Sequence, residues 1–350
     1  MKIPYHFLFL SILLLGACDS TTKQTSDKPD RITFKIMFGS CANQDKPQPL
    51  LTVAANEKPD AFVFLGDNVY GDTFVMDTLK AKYQRLGAKK EFQALRAVTP
   101  VFAVWDDHDF GWNDIGRHYP FKAESKEIFL DFWQVPESSD RRKHEGIYGV
   151  EYLEKDGKKL QLILLDTRTF RDDLVHRDST DTTFKNDYIP NLSPDSTFLG
   201  EVQWAWLGEQ LKQSADFRLI ASSNQFSHAY NGWESWTNVP HERQRFIDLV
   251  KTTQADRVVF ISGDVHWGEI SKLEVPNGYP IYDITSSGIT QTWHYIEPNK
   301  NRIGDASVKN NIGQLEVIWE NGEAKAVFKV MSSATETISE HTVSLEEISF

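Results

Sequence analysis

Cysteine is almost missing from this chain, with only Cys18 and Cys41 in 350 residues. A stapled, disulfide-rich scaffold is therefore excluded, and stability has to come from a packed core. Basic runs are missing too: 38 Lys and Arg stand against 50 Asp and Glu, a net charge of −12, so nucleic acid or another polyanion is not an expected partner. Past the N-terminus no apolar stretch approaches the roughly 20 residues of a membrane-spanning helix, and the body is expected to be soluble. No internal repeat and no low-complexity segment beyond residue 30 is visible, which argues against a solenoid. What remains is a chain long enough to bury a large core.

The N-terminus has a character of its own. Lys2 precedes an apolar stretch over 7–15, then come Gly16, Ala17 and Cys18 and the polar run "DSTTKQTSDKPD". Residues 1–17 read as a signal peptide. Leu15-Gly16-Ala17-Cys18 resembles the lipobox of bacterial lipoproteins, which makes Cys18 the expected lipidation site and residues 18–30 a polar tether too poor in apolar residues to fold. The alternative is a plain secretory signal whose cleavage site happens to contain a cysteine. On the first reading the body, residues 31–350, sits on the extracytoplasmic face of a bacterial membrane through an N-terminal lipid anchor. If Cys18 carries lipid, Cys41 is left without a disulfide partner.

Along the body, short runs rich in Val, Ile, Leu and Phe alternate with helical patterns. Strands are expected at 32–38, 61–65, 101–105, 160–165, 217–221 and 257–261, and helices around 48–56, 78–97, 122–133, 201–213 and 241–252. Continuous apolar strands separated by helices indicate an α/β core whose sheets are covered on both faces. After about 270 the pattern becomes alternating and Gly/Asn-bounded, "YPIYDITSSGIT", "GQLEVIWENG" and "KAVFKVM", which predicts a closing β meander. The polar stretch 172–198 reads as a long loop, and loops of that length border a site or move.

Chemistry collects where the apolar runs stop. "FVFLGDNVYGD" (62–72), "VFAVWDDHDF" (101–110), "LILLDTRTF" (162–170) and "VVFISGDVHW" (258–267) each end on an aspartate, placing Asp67, Asp107, Asp166 and Asp264 at strand ends. In α/β sheets ligands bind at the carboxyl ends of strands. Carboxylates gathered there repel one another and are costly to desolvate, so such a cluster predicts bound cations. "IMFGSCANQ" puts Cys41 in the same layer, and with His266 and the Tyr70 phenol the donors are both hard and soft, suited to a trivalent iron beside harder divalent ions. Singly, each residue has a plainer reading: Cys41 as a small buried hydrophobe, Gly-Asp as a turn, Asp-Asp-His-Asp as a solvated loop.

"GSC" (39–41), "GDNVY" (66–70), "WDDHDFGWN" (105–113), "LDTR" (165–168), "GWESWTNVPHER" (232–243), "SGDVHW" (262–267) and "TSSGIT" (285–290) together resemble the alkaline phosphatase D (PhoD-like) family of metallophosphoesterases. The resemblance implies a four-layer α/β/β/α sandwich. It also implies that Cys41, Asp67, Tyr70, Asn113, Asp264 and His266 hold Fe3+ and Ca2+, with Asp67 bridging and another divalent metal as a substitute. Asp107 becomes a further ligand or supporting group, and His108 takes the place of a substrate-facing histidine. Arg168 is expected to clamp a phosphate with its forked guanidinium; the competing reading is a structural salt bridge to Asp166 or Asp172. Only the tether precedes the body in this sequence, so an N-terminal β-domain of the kind some relatives carry is not expected, and the 172–198 loop has no counterpart that the motifs identify.

The activity so implied is phosphate ester hydrolysis by in-line attack of a metal-activated hydroxide, with His108 protonating the leaving oxygen. "NQFSHAYNGWESW" (224–236) is expected to wall the site with Tyr230, Trp233 and Trp236, and less firmly His228, the Trp side chains having core packing as their alternative. The chain is expected to be a monomer. Other readings stay open: a phosphodiesterase of phospholipase type, or a lipid-anchored binding protein that kept the fold and lost the chemistry.

Overall fold

The computed structural model describes Met1 and residues 31–350, so the signal segment, Cys18 and the tether lie outside the described residues. In chain order the strands are β1 (Arg31–Gly39), β2 (Ala61–Leu65), β3 (Val101–Val104), β4 (Gly149–Lys155), β5 (Lys158–Leu164), β6 (Val175–His176), β7 (Tyr188–Ile189), β8 (Phe217–Ala221), β9 (Val258–Ser262), β10 (Gly268–Leu273), β11 (Ile281–Ser286), β12 (Arg302–Ser307), β13 (Ile312–Glu320), β14 (Glu323–Met331) and β15 (Thr337–Ser344). The helices are α1 (Pro49–Glu57), α2 (Met76–Gly87), α3 (Lys90–Val98), α4 (Asp107–Phe110), α5 (Lys122–Phe132), α6 (Gly200–Leu211) and α7 (Pro240–Thr253). Among the described residues no helix is long and apolar enough to cross a membrane.

Two large mixed sheets form the centre, ordered β15-β14-β13-β1-β2-β3 and β12-β10-β11-β9-β8-β5-β4. Each has a parallel heart, β1, β2 and β3 in one and β5, β8, β9 and β11 in the other. Every residue of β2 (AFVFL) and of β9 (VVFIS) is buried, because a strand covered on both faces has no polar side to show. Phe92 of α3 and Trp133 at the end of α5 pack on Phe64 of β2 with ring centroids 5.9 and 5.1 Å away. On the other sheet Phe246 of α7 meets Phe260 of β9 at 4.9 Å. Burying each such side chain contributes about 1.5–3 kcal/mol, so the helices are held outside and the sheets inside, in the four layers expected.

Three features differ from the sequence expectation. The helix expected over 78–97 is broken into α2 and α3, since Leu79, Tyr83 and Leu86 face the core at helical spacing but Phe92 falls off that stripe. Breaking at Ala88 and Lys89 turns Phe92 and Leu95 back inward. β4 was not expected at all, although Asp156-Gly157, with φ of 50° and 79°, closes a tight hairpin onto β5 of the kind that Asp-Gly favours. The closing meander is present as β13–β15, and it returns to the first sheet by pairing β13 with β1, but "YPIYDITSSGIT" is no part of it: as β11, buried at every position, it runs parallel to β9 in the second sheet. At one end the sheets are stitched together: Ser40 bridges Ser287, Ser40 N donates to Ser286 O at 3.0 Å and Ile289 N donates to Ser40 O at 3.0 Å.

Candidate active site

The stitched end is where the strand-end residues meet. Cys41 follows β1, Asp67 follows β2, Asp106 and Asp107 follow β3, and Asp264 and His266 follow β9. Cys41, Asp67, Asp264 and His266 have φ of 59°, 51°, 71° and 63°, the left-handed region that costs a residue with a side chain about 1–3 kcal/mol. Four such residues in one cluster turn their side chains away from the strand direction and towards one another. Gly66 lets this happen, for a Cβ there would lie 2.5 Å from the Asp106 Cβ.

The donors converge closely. Cys41 Sγ lies 3.5 Å from Asp67 Oδ2 and 3.1 Å from Ser287 Oγ, and Tyr70 Oη lies 3.3 Å from His266 Nε2. Ligand atoms of Cys41, Asp67 and His266 all lie within 4.8 Å of one another, as do those of Asp67, Asp107 and His108 and those of Asp106, Asp107 and Asp264. Asp67 belongs to two of these groups, which suits a bridging carboxylate. Asp67 Oδ1, Asp106 Oδ2, Asp107 Oδ1 and Asn224 Oδ1 are buried without a hydrogen-bond partner. An orphaned buried oxygen costs about 1–3 kcal/mol, more when charged, and a cation removes that cost for several at once.

Electrostatics lead to the same conclusion. Burial, reinforced by neighbouring acids, pushes Asp67 and Asp264 well above the usual carboxylate range. Burial also pushes Asp106 to about 8, the Cys41 thiol to about 12 and the Tyr70 phenol well above its ordinary value. Asp107 goes the other way: burial opposes its ionisation, but His108 and Arg168 together pull it below the usual range. Burial thus disfavours the charged forms of most of this cluster; bound cations would offset that, as they do for coordinating thiols. Thiol, phenol, imidazole and carboxylate donors fit such cations.

His108 lies beside this cluster, its Nδ1 2.7 Å from Asp72 Oδ1 and its ring 4.4 Å from that of Tyr70. Burial works against its charge, yet Asp107 and Asp72 raise it to about 9. Asn113 lies on the wall of a cavity of about 240 Å3 whose floor includes Asp264 and His266. That wall also holds Asp114, Glu234, Trp233 and Trp293, and among the described residues no Lys or Arg lines the cavity.

Several expected site residues are placed elsewhere. Arg168 is fully buried beneath the cavity, with Nη1 donating to Glu234 Oε1 at 2.7 Å and its other donors turned to Asp106 and Glu234. Its fork is closed on carboxylates, so the phosphate-clamp reading gives way to an ion-pair network, with partners other than the Asp166 or Asp172 considered for it. Trp236 is fully buried, its Nε1 donating to Ser222 Oγ at 3.1 Å and its ring 5.2 Å from that of Phe226, so it is core. Tyr230 donates its hydroxyl to Tyr188 O at 2.6 Å and props the 172–198 loop from behind. His228 is fully buried with Nε2 3.7 Å from Glu269 Oε1, away from the cavity. Of the aromatic residues in that stretch Trp233 alone lines the cavity, beside Glu234. Asp166, at its strand end, is saturated by neighbouring donors and faces no ligand group.

Sequence reasoning missed Glu234, Asp114, Arg171 and Trp293. Asp107, Asp114 and Glu234 form a further carboxylate group within 4.8 Å, and Arg171 Nη1 lies 2.7 Å from Glu234 Oε1. A lone acid between Trp233 and Trp236 was the available signal, because a carboxylate in an aromatic stretch has to be paired once buried.

Residues 36–330 match the family model described as PhoD-like phosphatase. Alkaline phosphatase D of Bacillus subtilis (strain 168) is 23% identical over 265 residues, which are 63% of this chain and 43% of that protein. The chain thus spans less than half the length of that curated relative. Among solved structures, that of PhoD aligns with a TM-score of 0.68 at 18% identity, covering 89% of this chain and 68% of that one. The anchor in the inner membrane complex of Plasmodium aligns with a TM-score of 0.55 at 15% identity, covering 89% of each chain. These structural likenesses show a shared fold. Because the matched stretch runs from within β1 to within β14 and takes in every candidate ligand, the chain belongs to the PhoD-like phosphatase family.

Proposed function

We propose that the protein is a metal-dependent phosphoric ester hydrolase whose reacting phosphoryl group sits over Asp67, Asp264 and His266. The observation that carries this reading is the pairing of a cavity lined, among the described residues, by no Lys or Arg with a floor of crowded acids. A phosphate bound there meets no Lys or Arg of the cavity wall to neutralise it, so the acids must first bring cations. Cys41, Tyr70 and His266, with Asp67, suit a trivalent iron; Asp106, Asp107 and Asp264, with the Asn113 amide oxygen, suit Ca2+ or a similar divalent ion. Bound there, such ions supply an acidified water as nucleophile and neutralise phosphoryl oxygens.

The chain's own groups do the rest. Asp72 orients His108 through Nδ1, which leaves Nε2 to give its proton to the leaving oxygen, a contribution of about 10²–10⁴ in rate. Arg168 and Arg171 hold Glu234, and Arg168 also holds Asp106, fixing the acids beneath the cavity. The lipobox-like Leu15-Gly16-Ala17-Cys18 supports anchoring of this body at an extracytoplasmic membrane face. Cys18→Ala then moves active protein to the soluble fraction, and retention in the membrane would end the anchoring idea.

The test of function is hydrolysis of p-nitrophenyl phosphate and bis(p-nitrophenyl) phosphate, with elemental analysis of the same sample. Turnover that a chelator abolishes, with iron and calcium in the active protein, is expected. Metal-loaded, folded protein that cleaves neither ester would overturn the reading and leave the inactive binding protein in its place.

A further inference from the structure

The organic side of the cavity has a shape and charge that hydrolysis alone does not account for. Trp233 and Trp293 stand with ring centroids 6.5 Å apart and planes at 71°, on the wall that Tyr188 shares. Rings so steeply inclined make a corner. A flat aryl group or base can stack on one of them but cannot be sandwiched, whereas a compact rounded group touches both. The corner is also fixed relative to the reacting centre, because Trp293 N donates to His266 O at 3.0 Å and the two side-chain rings are 6.4 Å apart. A short alcohol whose phosphate sits at His266 reaches it.

The unpaired charge at the corner's open edge is negative. Asp187, at the cavity edge, is exposed, and among the described residues its carboxylate enters no ion pair. Asp114 adds a carboxylate on the same wall, where it accepts from the Tyr188 hydroxyl, whereas Glu234 is already paired with the buried Arg168 and Arg171. Aromatic faces are electron-rich, so rings and carboxylates together attract a cation and repel an anion. Resting on the hydrolytic reading above, we propose that the Trp233–Trp293 corner binds a quaternary ammonium group on the alcohol part of the ester, so that the enzyme takes phosphate esters of short amino alcohols.

The experiment uses full-length, metal-loaded protein and compares kcat/KM for choline phosphate with that for 3,3-dimethylbutyl phosphate, its uncharged carbon isostere. Dividing the preference of the wild type by that of each variant cancels the different reactivities of the two alcohols. Trp293→Ala and Trp233→Ala are expected to cut the preference roughly tenfold each, and Trp293→Phe to keep most of it, as a cation on an aromatic face requires. Separately, tetramethylammonium chloride should change tryptophan fluorescence saturably, against a sodium chloride control, in the wild type but not in Trp293→Ala. Unchanged preference in both alanine variants, or fluorescence that does not saturate, overturns the proposal. If neither ester is cleaved but the fluorescence saturates, the hydrolytic reading fails while the cation site stands.

Discussion

Asp67 and Asp166 occupy matching places, each just after an apolar strand, one in each sheet, and they serve opposite ends. Asp166 Oδ1 accepts from Trp105 Nε1, Arg168 N and Thr169 N at 2.9–3.0 Å, and its Oδ2 accepts from Ile147 N and Thr169 Oγ1 at 2.8 and 2.7 Å. Asp67, with φ of 51°, turns its carboxylate away from the backbone that follows and leaves Oδ1 without a donor. What decides whether a strand-end aspartate is structural or reactive is the direction of the next few residues. Donors that fold back saturate it; a left-handed residue leaves it open.

The sharpest way to break this comparison is to remove charge at the open end. Asp67→Asn, which keeps the shape, should lower kcat/KM by about 10²–10⁴, the several kcal/mol that a catalytic cation contributes at 1.36 kcal/mol per decade. Metal content should fall, yet urea denaturation of the metal-free variant should show no loss of stability, since the lost carboxylate had an unpaired oxygen. Cys41→Ala belongs with it and should lose iron before calcium, with Cys41→Asp recovering a divalent ion and part of the turnover. Full activity and unchanged iron in Cys41→Ala would make the thiol mere packing.

Asp166→Ala should do the reverse. Stranding its donors is expected to cost about 3 kcal/mol or more in urea denaturation, while the folded fraction keeps its metal. Arg168→Lys comes next, with about 2–3 kcal/mol lost because a point charge cannot satisfy both Glu234 and Asp106. A fall in kcat/KM with stability intact would instead restore a phosphate contact for Arg168. The smallest effect compares two histidines. Burial depresses His228 to about 4 from its ordinary 6.5, so the unfolded chain takes up a proton there that the folded one refuses, and stability falls as pH drops below about 6.5. His228→Gln should remove about 2 kcal/mol of the decline between pH 6.5 and 5 in denaturation curves. His108, raised to about 9, has the opposite sign: its contribution is full below about 6.5 and is lost progressively as pH rises from there to about 9.

Much of this was legible because strand burial leaves a plain trace. Continuous apolar runs gave the parallel strands, and their polar endings led to Cys41, Asp67, Asp107, Asp264 and His266, which the structure brings together. The rest depended on direction, which periodicity does not carry. Nothing in "LDTR" says whether Asp166 faces a ligand or its own loop, and nothing in "GWESW" says which Trp faces the cavity. Glu234 was hidden for the same reason: its meaning comes from Arg168 and Arg171, distant in sequence. Trp293 lies in an irregular stretch after β11 with no pattern to point at it.

The seam at Ser40 bears on how anything enters. Backbone hydrogen bonds cross from one sheet to the other beside Cys41, so the halves cannot swing apart as a hinged pair without breaking them at the reacting centre itself. Opening must fall to the segment bearing Asp187 and Tyr188, whose only regular structure is the two-residue pair β6 and β7. Amides of Ser40 and Ile289 should then exchange with deuterium only through global unfolding, and those around Tyr188 through local excursions. Substrate traffic is thereby separated from the ligand geometry, and the lip of the cavity can vary in length and sequence while the floor stays fixed.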